Sequence, residues 1–251
     1  MQYKEIGKVL ENQALIPDLI YLMVIESPLI AREAKAGQFL EIKTGTSPLL
    51  RKPISLFSVE DNRVSILYQV KGEGTRNLMA LKAGDRLDAI GPLGRGFTLK
   101  EGGRHLLVGG GIGIAPLYQL GRSLKALGGE VEFLLGFSCA AGSYGIELFQ
   151  EIGPVRIATM DGSLGKKGTV AVLLEAEDLT KISTIYSCGP EPMLRYVKGF
   201  GELVDTELSL ESYMGCGLGA CLSCVCKKQD GEYARVCKDG PVFNAKEVEL
   251  G

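Results

Sequence analysis

The 251-residue chain contains no tryptophan and a single histidine, His105. His105 begins the apolar run RHLLVGG, and no acid or nucleophile pattern surrounds it, so we expect it to have a structural role. A site that relies on histidine as acid, base or nucleophile partner is therefore not expected. The demanding chemistry is expected to come from bound cofactors, which the protein positions and tunes.

The chain also lacks an excess of charge and a long apolar segment. Its 28 Lys and Arg against 30 Asp and Glu leave a net charge of −2, so nucleic acid is not expected as a partner. The N-terminus has no signal-peptide pattern, and Pro17, Asp18 and Glu26 interrupt the apolar stretch 14–30, so we expect no membrane span. Seven cysteines in such a chain favour metal or redox use over disulfides, and the expected location is the cytoplasm.

Four of the cysteines form the most specific motif in the chain. Cys216, Cys221 and Cys224 have the spacing C-x4-C-x2-C, and Cys237 follows at a distance. This spacing is typical of plant-type [2Fe-2S] clusters. The small residues between the first two cysteines favour a cluster, because they let backbone N–H groups approach its sulfides. The motif predicts four thiolate ligands and a chain that moves single electrons.

Two alternatives remain open for this motif. A structural zinc site also takes four thiolates, although zinc modules usually pair their ligands as two C-x2-C units, and only Cys221 and Cys224 form one here. Cys226 could also replace Cys237 as the fourth ligand. We favour Cys237, because the returning segment YARVC can close the loop from the other side, and Cys226 is then a buried spare thiol.

Residues 1–100 predict an antiparallel β-barrel, because short alternating or apolar runs are separated by turn signals. These runs lie at 3–10, 19–26, 38–43, 54–59, 64–70 and 85–90. One helix is expected before the last run, with Thr75 as its N-cap and Ala83-Gly84 at its end. The glycines that lead into this helix suit an anion site.

Between residues 101 and 206 strands alternate with helices, which predicts a doubly wound parallel sheet. The first strand leads into the turn Gly109-Gly110-Gly111-Ile112-Gly113, which matches the dinucleotide fingerprint except that Pro116 replaces its third glycine. We expect a dinucleotide phosphate here, and a merely tight strand-to-helix connection is the alternative. Segment 136–141 contains no Arg or Lys for a 2′-phosphate, which favours NAD over NADP.

Five features occur in an expected order. The first three are similar to those of the ferredoxin-NADP-reductase-like flavoproteins, the last two narrow the similarity to one kind of electron-transfer subunit among them, and the similarity covers essentially the whole chain. The five features are the barrel, GGGIGIAPL, YSCGPEPML, ESYMGCGLGACLSCVC and VCKDGPVF. The resemblance implies an FAD-binding β-barrel domain at 1–100, an NAD-binding α/β domain at 101–206 and a small [2Fe-2S] subdomain at 207–251. It implies one FAD and one cluster per chain.

The same resemblance implies residues for each cofactor. The flavin contacts would be Arg51, Lys52, Pro53, Ile54, Ser55, Leu67, Tyr68, Gln69, Gly74 and Thr75. The NAD contacts would be Gly110, Gly111, Ile112, Gly113, Cys188, Gly189 and Pro190, with Cys188 near the nicotinamide. The family usually has arginine at the Lys52 position and tyrosine at the Ile54 position. Lys52 can bind a phosphate as a single charge but not through the two parallel hydrogen bonds of an arginine, so Arg51 is expected to share the phosphate contact. With Ile54 in place of tyrosine, the flavin is expected to stack less on an aromatic ring.

The implied function is electron transfer by a chain that has no substrate site of its own. The C-terminal motifs are similar to those of electron-transfer subunits that join an FMN-containing catalytic subunit, as a heterotetramer of two plus two. Electrons would pass from that partner through the cluster and FAD to NAD+, and the C-terminal segment would face the partner. A subunit of an NAD(P)H-dependent ferredoxin or sulfide oxidoreductase is the first alternative. A redox sensor or a zinc-stabilised module without turnover is the second.

Overall fold

The N-terminal part of the chain is a closed antiparallel barrel, as predicted. The computed structural model describes residues 1–47 and 49–250. The six barrel strands are β1 (Tyr3–Ile16), β2 (Ile20–Glu26), β3 (Phe39–Ile42), β4 (Lys52–Glu60), β5 (Arg63–Gln69) and β6 (Arg86–Leu93). They are hydrogen-bonded in the order β1-β2-β5-β4-β3-β6, and β6 closes the barrel on β1.

Strand β3 is buried on both of its faces. Leu40 and Ile42 belong to the core inside the barrel, whereas Phe39 belongs to a second core outside it. Because successive side chains of a strand point to opposite faces, Glu41 also points out of the barrel. The outer face of β3 is therefore covered by another part of the chain, which the following elements identify.

Two helices differ from the sequence predictions. Helix α1 (Pro28–Glu33), between β2 and β3, was not predicted. Helix α2 (Glu73–Met79) begins two residues before Thr75 and ends before Ala83-Gly84. The prediction that Thr75 is the N-cap was therefore wrong. Its hydroxyl lies within the first turn and accepts hydrogen bonds from the N–H groups of Lys71 and Gly72, at 2.9 and 3.2 Å.

The rest of the chain forms a seven-stranded sheet and a small two-stranded sheet. The strands are β7 (Arg104–Gly110), β8 (Glu130–Phe137), β9 (Val155–Thr159), β10 (Lys166–Lys167), β11 (Thr184–Cys188), β12 (Thr206–Ser209), β13 (Val225–Lys227), β14 (Tyr233–Arg235) and β15 (Val242–Asn244). The helices are α3 (Ala115–Ala126), α4 (Ile146–Gln150), α5 (Ala171–Leu174) and α6 (Glu191–Lys198).

The large sheet has the order β10-β9-β8-β7-β11-β12-β15. All neighbours are parallel except β15, which pairs antiparallel with β12. The strand order reverses between β7 and β11, and such a switch point is where doubly wound sheets bind ligands at the carboxyl ends of their strands. The predicted doubly wound architecture is thus confirmed, and its switch point places the glycine turn after β7 beside the end of β11.

The C-terminal segment returns to the sheet and then to the barrel. Strands β13 and β14 form an antiparallel pair, and β15 extends the large sheet. Cys224, Val236 and Cys237 pack in the same core as Phe39 and Leu93 on the outside of the barrel. This segment is what covers β3. The proposed boundary between residues 206 and 207 falls inside β12, and the three domain ranges remain proposals.

His105 is fully buried in β7 and packs beside Tyr186, and its Nε2 lies 2.7 Å from the carbonyl oxygen of Gly102. Burial lowers the pKa of the imidazole, so the neutral ring acts in packing. Within residues 1–47 and 49–250, no helix combines the length and apolar character needed to cross a bilayer.

Replacing Leu40 by alanine tests the barrel core. Leu40 is completely buried, so Leu40→Ala is expected to lower the free energy of unfolding by about 2–5 kcal/mol. Chemical denaturation followed by circular dichroism measures the change. Leu29→Ala, at a helix position that is 42% exposed, is the control and should change stability by less than about 0.5 kcal/mol. Equal effects of the two substitutions would contradict this description of the core.

Candidate functional site

A cavity of about 620 Å³ lies between the barrel and the large sheet. Its wall includes β4, β5, the start of α2, the turn after β7, the end of β11 and the segment 209–215. Small-molecule sites in proteins usually measure about 300–1,000 Å³. The cavity is therefore large enough for a substantial part of a cofactor, and it lies at the switch point of the sheet.

Nine of the ten residues predicted to contact flavin line this cavity. They are Arg51, Lys52, Pro53, Ile54, Ser55, Leu67, Tyr68, Gln69 and Thr75. Gly74 lies directly behind Lys52, because a Cβ atom at Gly74 would be 2.7 Å from the Cε of Lys52. The Tyr68 hydroxyl points away from the cavity and donates to Oδ1 of Asn12 at 3.0 Å. Their assignment as flavin contacts remains a prediction.

The cations of the cavity wall differ in their partners. The Arg51 guanidinium binds Oδ1 of Asp88 at 2.8 Å and also the carbonyl oxygens of Glu41 and Asp88. Lys52 and Lys71 form no salt bridge with any described residue. Arg51 is thus committed to the barrel, which leaves the two lysines to meet an anionic ligand.

A second group that could bind a ligand, the Thr44 hydroxyl, lies near Lys52. Oγ1 of Thr44 is buried and has no hydrogen-bond partner among the described residues. It lies beside Gly74, 2.9 Å from the position that a Cβ would take there. Buried polar groups are normally paired, so this hydroxyl and the unpaired ammonium of Lys52 fit a phosphate-bearing cofactor.

The two predicted NAD segments touch each other at the switch point. A Cβ atom at Gly113 would lie 2.5 Å from both the carbonyl oxygen of Cys188 and the Cα of Gly189. Gly110 also lies close to Pro190, whose Cδ would be 3.0 Å from a Cβ there. Gly111 has a φ of +54°, and a Cβ at this position would meet nothing within 4 Å. Glycine at position 113 thus lets two loops meet, and Gly111 leaves open space beside them.

Of these NAD residues, Ile112, Gly113 and Cys188 line the cavity together with the flavin residues. Cys188 is buried, and burial, followed by the nearby Glu211 carboxylate, raises the pKa of its thiol to about 12. Cys188 is therefore an uncharged thiol at neutral pH, suited to packing against a ring rather than to nucleophilic attack.

Sequence reasoning did not single out Glu211. It lines the cavity near Cys188, follows the end of β12 and precedes the cysteine loop. Partial enclosure by the cavity wall raises the pKa of the Glu211 carboxyl, and Lys71 acts in the opposite direction. The side chain is nevertheless accessible to solvent through the open cavity. Glutamate at a strand end is common, so only its position in the cavity distinguishes it.

The cysteine loop, residues 214–224, lies at the edge of the same cavity. Met214, Gly215 and Ser223 belong to the cavity wall, and the Ser223 hydroxyl lies 3.3 Å from Sγ of Cys221. The same hydroxyl accepts a hydrogen bond from the Gly215 N–H at 2.9 Å. Ser223 therefore connects the predicted cluster ligand Cys221 directly to this cavity.

The four predicted ligands approach one another in two pairs. The N–H group of Cys237 donates to Sγ of Cys224 at 3.5 Å, and Cys216 is close enough to Cys221 to contribute to lowering the pKa of its thiol. Sγ of Cys216 accepts from the N–H groups of Leu218 and Ala220, at 3.3 and 3.4 Å. Among the residues that the structure describes, no three Cys, His, Asp or Glu side chains converge on a single ion position.

Two thiol pairs, each with nearby backbone N–H groups, fit a two-iron cluster in which every iron takes two thiolates. Hydrogen bonds from Ser223 and Cys216 lower the pKa of Cys221 to about 6, which favours the thiolate that iron requires. Cys226 lies in β13, packs against the neighbouring core and has a raised pKa because it is partly buried. The choice of Cys237 over Cys226 as fourth ligand remains a prediction.

The protonation state of Cys188 can be tested by alkylation of the native protein. With a pKa of about 12, only about one thiol in ten thousand is ionised at pH 8. The alkylation rate at Cys188, followed by peptide mass spectrometry, should rise about tenfold per pH unit from about pH 7 to 9 without levelling off. The urea-unfolded protein is the control and should level off near the ordinary thiol pKa. A plateau in the native protein would show that the site ionises the thiol.

Comparison with known proteins places the chain in a family. The model of the iron-sulfur cluster binding domain of dihydroorotate dehydrogenase B matches residues 211–249. The electron transfer subunit of dihydroorotate dehydrogenase B (NAD(+)) from Bacillus cereus strain B4264 is 42% identical over 253 residues, which cover 96% of this chain and 97% of that protein. The subunit of the same name from Bacillus pumilus strain SAFR-032 is 43% identical over 244 residues, with 94% of each chain covered.

Solved structures show the same fold. A chain of an NADH-dependent reduced ferredoxin-NADP oxidoreductase has a TM-score of 0.88 and 28% identity, and the match covers 98% of this chain and 90% of that one. A cytochrome P450 reductase from Amycolatopsis has a TM-score of 0.68 and 26% identity, with 80% and 66% covered. The chain belongs to the family of the dihydroorotate dehydrogenase B electron transfer subunits, within the ferredoxin-reductase-like fold.

Proposed function

We propose that this chain is an oxidoreductase subunit that passes electrons from dihydroorotate oxidation, on a partner FMN subunit, to NAD+. One observation carries the proposal. A single cavity is lined by the predicted flavin residues, by the predicted nicotinamide turn and by the cysteine loop, through Ser55, Cys188 and Ser223. The names of the 42–43% identical relatives support the substrate and the acceptor.

The proposed cofactors are one FAD and one [2Fe-2S] cluster per chain, with NAD as electron acceptor. When bound, NAD takes two electrons as a hydride, the cluster carries one electron at a time, and FAD converts between the two. The chain has to hold these groups close together and keep water away from the hydride path. The shared cavity wall meets the first requirement.

Each group of cavity residues would have a separate role. Lys52 and the Thr44 hydroxyl would bind flavin phosphate, while Ile54 and Ser55 would lie against the ring system. Gly113 would keep the two loops in contact at the nicotinamide end of NAD, and the neutral Cys188 thiol would lie in the same wall. An uncharged thiol would add no charge at the nicotinamide position.

The surface around the cysteine loop supports a partner at this end of the chain. Leu218 and Leu222 are 44% and 59% exposed on the loop, and Val225 beside them is 43% exposed. Leu222 also has a φ of +58°, an unfavourable conformation for a branched side chain. Apolar side chains held outward are typical of the central part of a protein interface. We propose that they dock the FMN-containing catalytic subunit.

The finer parts of the proposal concern assembly and context. We propose a heterotetramer of two such chains and two catalytic subunits, located in the cytoplasm and acting in pyrimidine (UMP) biosynthesis.

The decisive experiment is to co-express the chain with its candidate FMN-containing partner, purify the complex and measure NAD+ reduction with dihydroorotate. Copurification together with this activity is the expected result, and a yellow complex that reduces no NAD+ would contradict the proposal.

The structural neighbour with TM-score 0.88 favours a second candidate function, that of a subunit in an NADH-dependent ferredoxin oxidoreductase. Such a chain would use the same three cofactor sites with a different partner. The two functions are separated by the electron donor. A purified complex that reduces NAD+ with reduced ferredoxin but not with dihydroorotate would establish the second.

Loss of one cluster thiolate should interrupt electron flow without releasing flavin. In Cys221→Ser the first thiol pair is broken, so the iron content should fall and NAD+ reduction by dihydroorotate should drop to background. Flavin absorbance should stay at the wild-type level, because Cys221 is not part of the flavin wall. Cys226→Ser is the matched control and should retain iron and activity. Wild-type coupled activity in Cys221→Ser would refute the ligand assignment.

A methyl group at the contact between the two loops should impair NAD selectively. In Gly113→Ala the new Cβ would collide with the backbone of residues 188 and 189 and force the loops apart. The rate at limiting NAD+ should fall by about tenfold or more, because small displacements at a reacting site are costly. Gly199→Ala, where a Cβ meets nothing within 4 Å, is the control and should behave as wild type. Unchanged NAD+ kinetics in Gly113→Ala would exclude this turn from the site.

A further inference from the structure

Glu41 is a buried carboxyl group that the proposed function does not use. It lies on the outer face of β3 and is only 1% exposed. Neither of its carboxyl oxygens has a hydrogen-bond partner among the described residues. An unsatisfied buried carboxyl is costly, and a glutamine or leucine would fill the same space more cheaply. The position therefore requires an explanation in terms of what the carboxyl faces.

The carboxyl faces the cysteine loop at Gly217, the residue after the predicted ligand Cys216. A Cβ atom at Gly217 would lie 2.4 Å from Cγ of Glu41 and 2.5 Å from its Oε1. The backbone of Gly217 has a φ of +67°, in the left-handed region that glycine adopts most readily. The loop can therefore lie on the barrel only because residue 217 has no side chain where the Glu41 carboxyl is.

The charged groups around Glu41 come from three elements. Burial raises the pKa of its carboxyl to about 7, and the nearby Cys221 acts in the same direction. Arg51, just before β4, and Lys52, the first residue of β4, act in the opposite direction. Arg51, however, gives its donors to Asp88 of β6 and to the backbone carbonyl of Glu41, so it does not pair with the carboxyl itself.

We propose that Glu41 is a positioning residue for the iron-sulfur cluster: its side chain seats the loop at Gly217 on the barrel, and its carboxylate lowers the cluster's reduction potential. The inference rests on the proposed function to the extent that the cysteine loop must hold a cluster. Glu41 connects β3, the strand before the predicted flavin residues of β4, to Gly217, the neighbour of the predicted cluster ligand Cys216. The contact thus sets both where the cluster lies relative to the flavin and how readily it accepts an electron.

The expected sign of the effect follows from electrostatics. Reduction adds one negative charge to the cluster, and a nearby carboxylate opposes this addition more strongly in a buried site than in water. Removing the carboxylate should therefore make the cluster easier to reduce. A residue that only filled space would leave the potential unchanged when it is replaced by an isosteric amide.

The first experiment measures the cluster potential in Glu41→Gln by redox titration followed by electron paramagnetic resonance, using the purified complex. Burial raises the pKa of the Glu41 carboxyl, so the titration is run at alkaline pH, about 8.5, to favour the ionised form. Glu41→Gln should shift the midpoint potential in the positive direction with wild-type iron content. The control is Glu207→Gln, which removes another buried carboxyl, one that accepts a hydrogen bond from the Thr98 N–H at 2.9 Å. It should leave the potential unchanged.

An unchanged potential in Glu41→Gln, or an equal shift in Glu207→Gln, would overturn the electrostatic part of the inference. The proposed function would survive either result, because the wild-type complex would still contain the cluster and reduce NAD+. A wild-type complex without iron would instead overturn the proposed function and this inference together.

The second experiment tests the contact through the iron content of paired variants. Gly217→Ala should lose most of its iron, because the new methyl group would overlap the Glu41 side chain. Adding Glu41→Ala should restore part of the iron by making room for it. Gly219→Ala is the matched control. Residue 219 has a similar φ of +82°, but a Cβ there meets the flexible side chain of Lys238. Glu41→Ala should restore nothing to Gly219→Ala, and equal rescue of both variants, or of neither, would refute the contact.

Discussion

The position of the cysteine loop depends on the pairing of β15 with β12. This short antiparallel ladder joins Glu207 to Asn244, Leu208 to Phe243 and Ser209 to Val242, and the Leu210 N–H then binds the Pro241 carbonyl at 2.9 Å. The segment between the two strands must therefore leave the sheet and return to it within a limited space. Because β12 pairs with β11, which borders the switch point of the sheet, this segment is confined to the edge of the cavity.

The core outside the barrel completes this restraint. Phe39 and Leu93 of the barrel pack with Cys224, Val236 and Cys237, so two of the predicted cluster ligands are themselves core residues. Arg235 strengthens the connection, since its guanidinium donates two hydrogen bonds to Asp239 and one to the Gly219 carbonyl. A cluster on these predicted ligands would have a defined distance to the cavity, which suits electron transfer better than a mobile loop would.

Charge is distributed unevenly around the cavity, and burial is the main reason. Cys188 stays a neutral thiol because it is enclosed, whereas the exposed Cys221 is favoured as a thiolate by its hydrogen bonds. Arg51 is neutralised within the barrel by Asp88, while Lys52 remains available to a ligand. Residues of the same chemical type thus have different roles, according to which of them the fold surrounds.

Much of the architecture could be predicted because its signals are local. The alternation in the barrel strands, the glycine turn after β7 and the cysteine spacing each lie within short stretches of chain. Helix α1 was missed because its six residues carry little periodicity. The start of α2 was misplaced because a threonine hydroxyl can accept backbone hydrogen bonds from within the first turn as well as from the N-cap position. Strands β12 and β15 are too short to be recognised without their partners.

The candidate site, like the fold, combines features that the sequence predicts with features that it does not. The type and number of the metal ligands, and the glycines that allow close backbone approach, follow from the order of residues along the chain. Glu41 and Glu211 carry no such signal, because a glutamate in a strand or at its end looks like any solvated surface charge. Their importance arises from their positions, Glu41 against the cysteine loop and Glu211 in the cavity wall, and these positions depend on contacts between distant segments. Chain order therefore specifies which chemistry is present, whereas the folded packing specifies which carboxyl groups lie close enough to influence it.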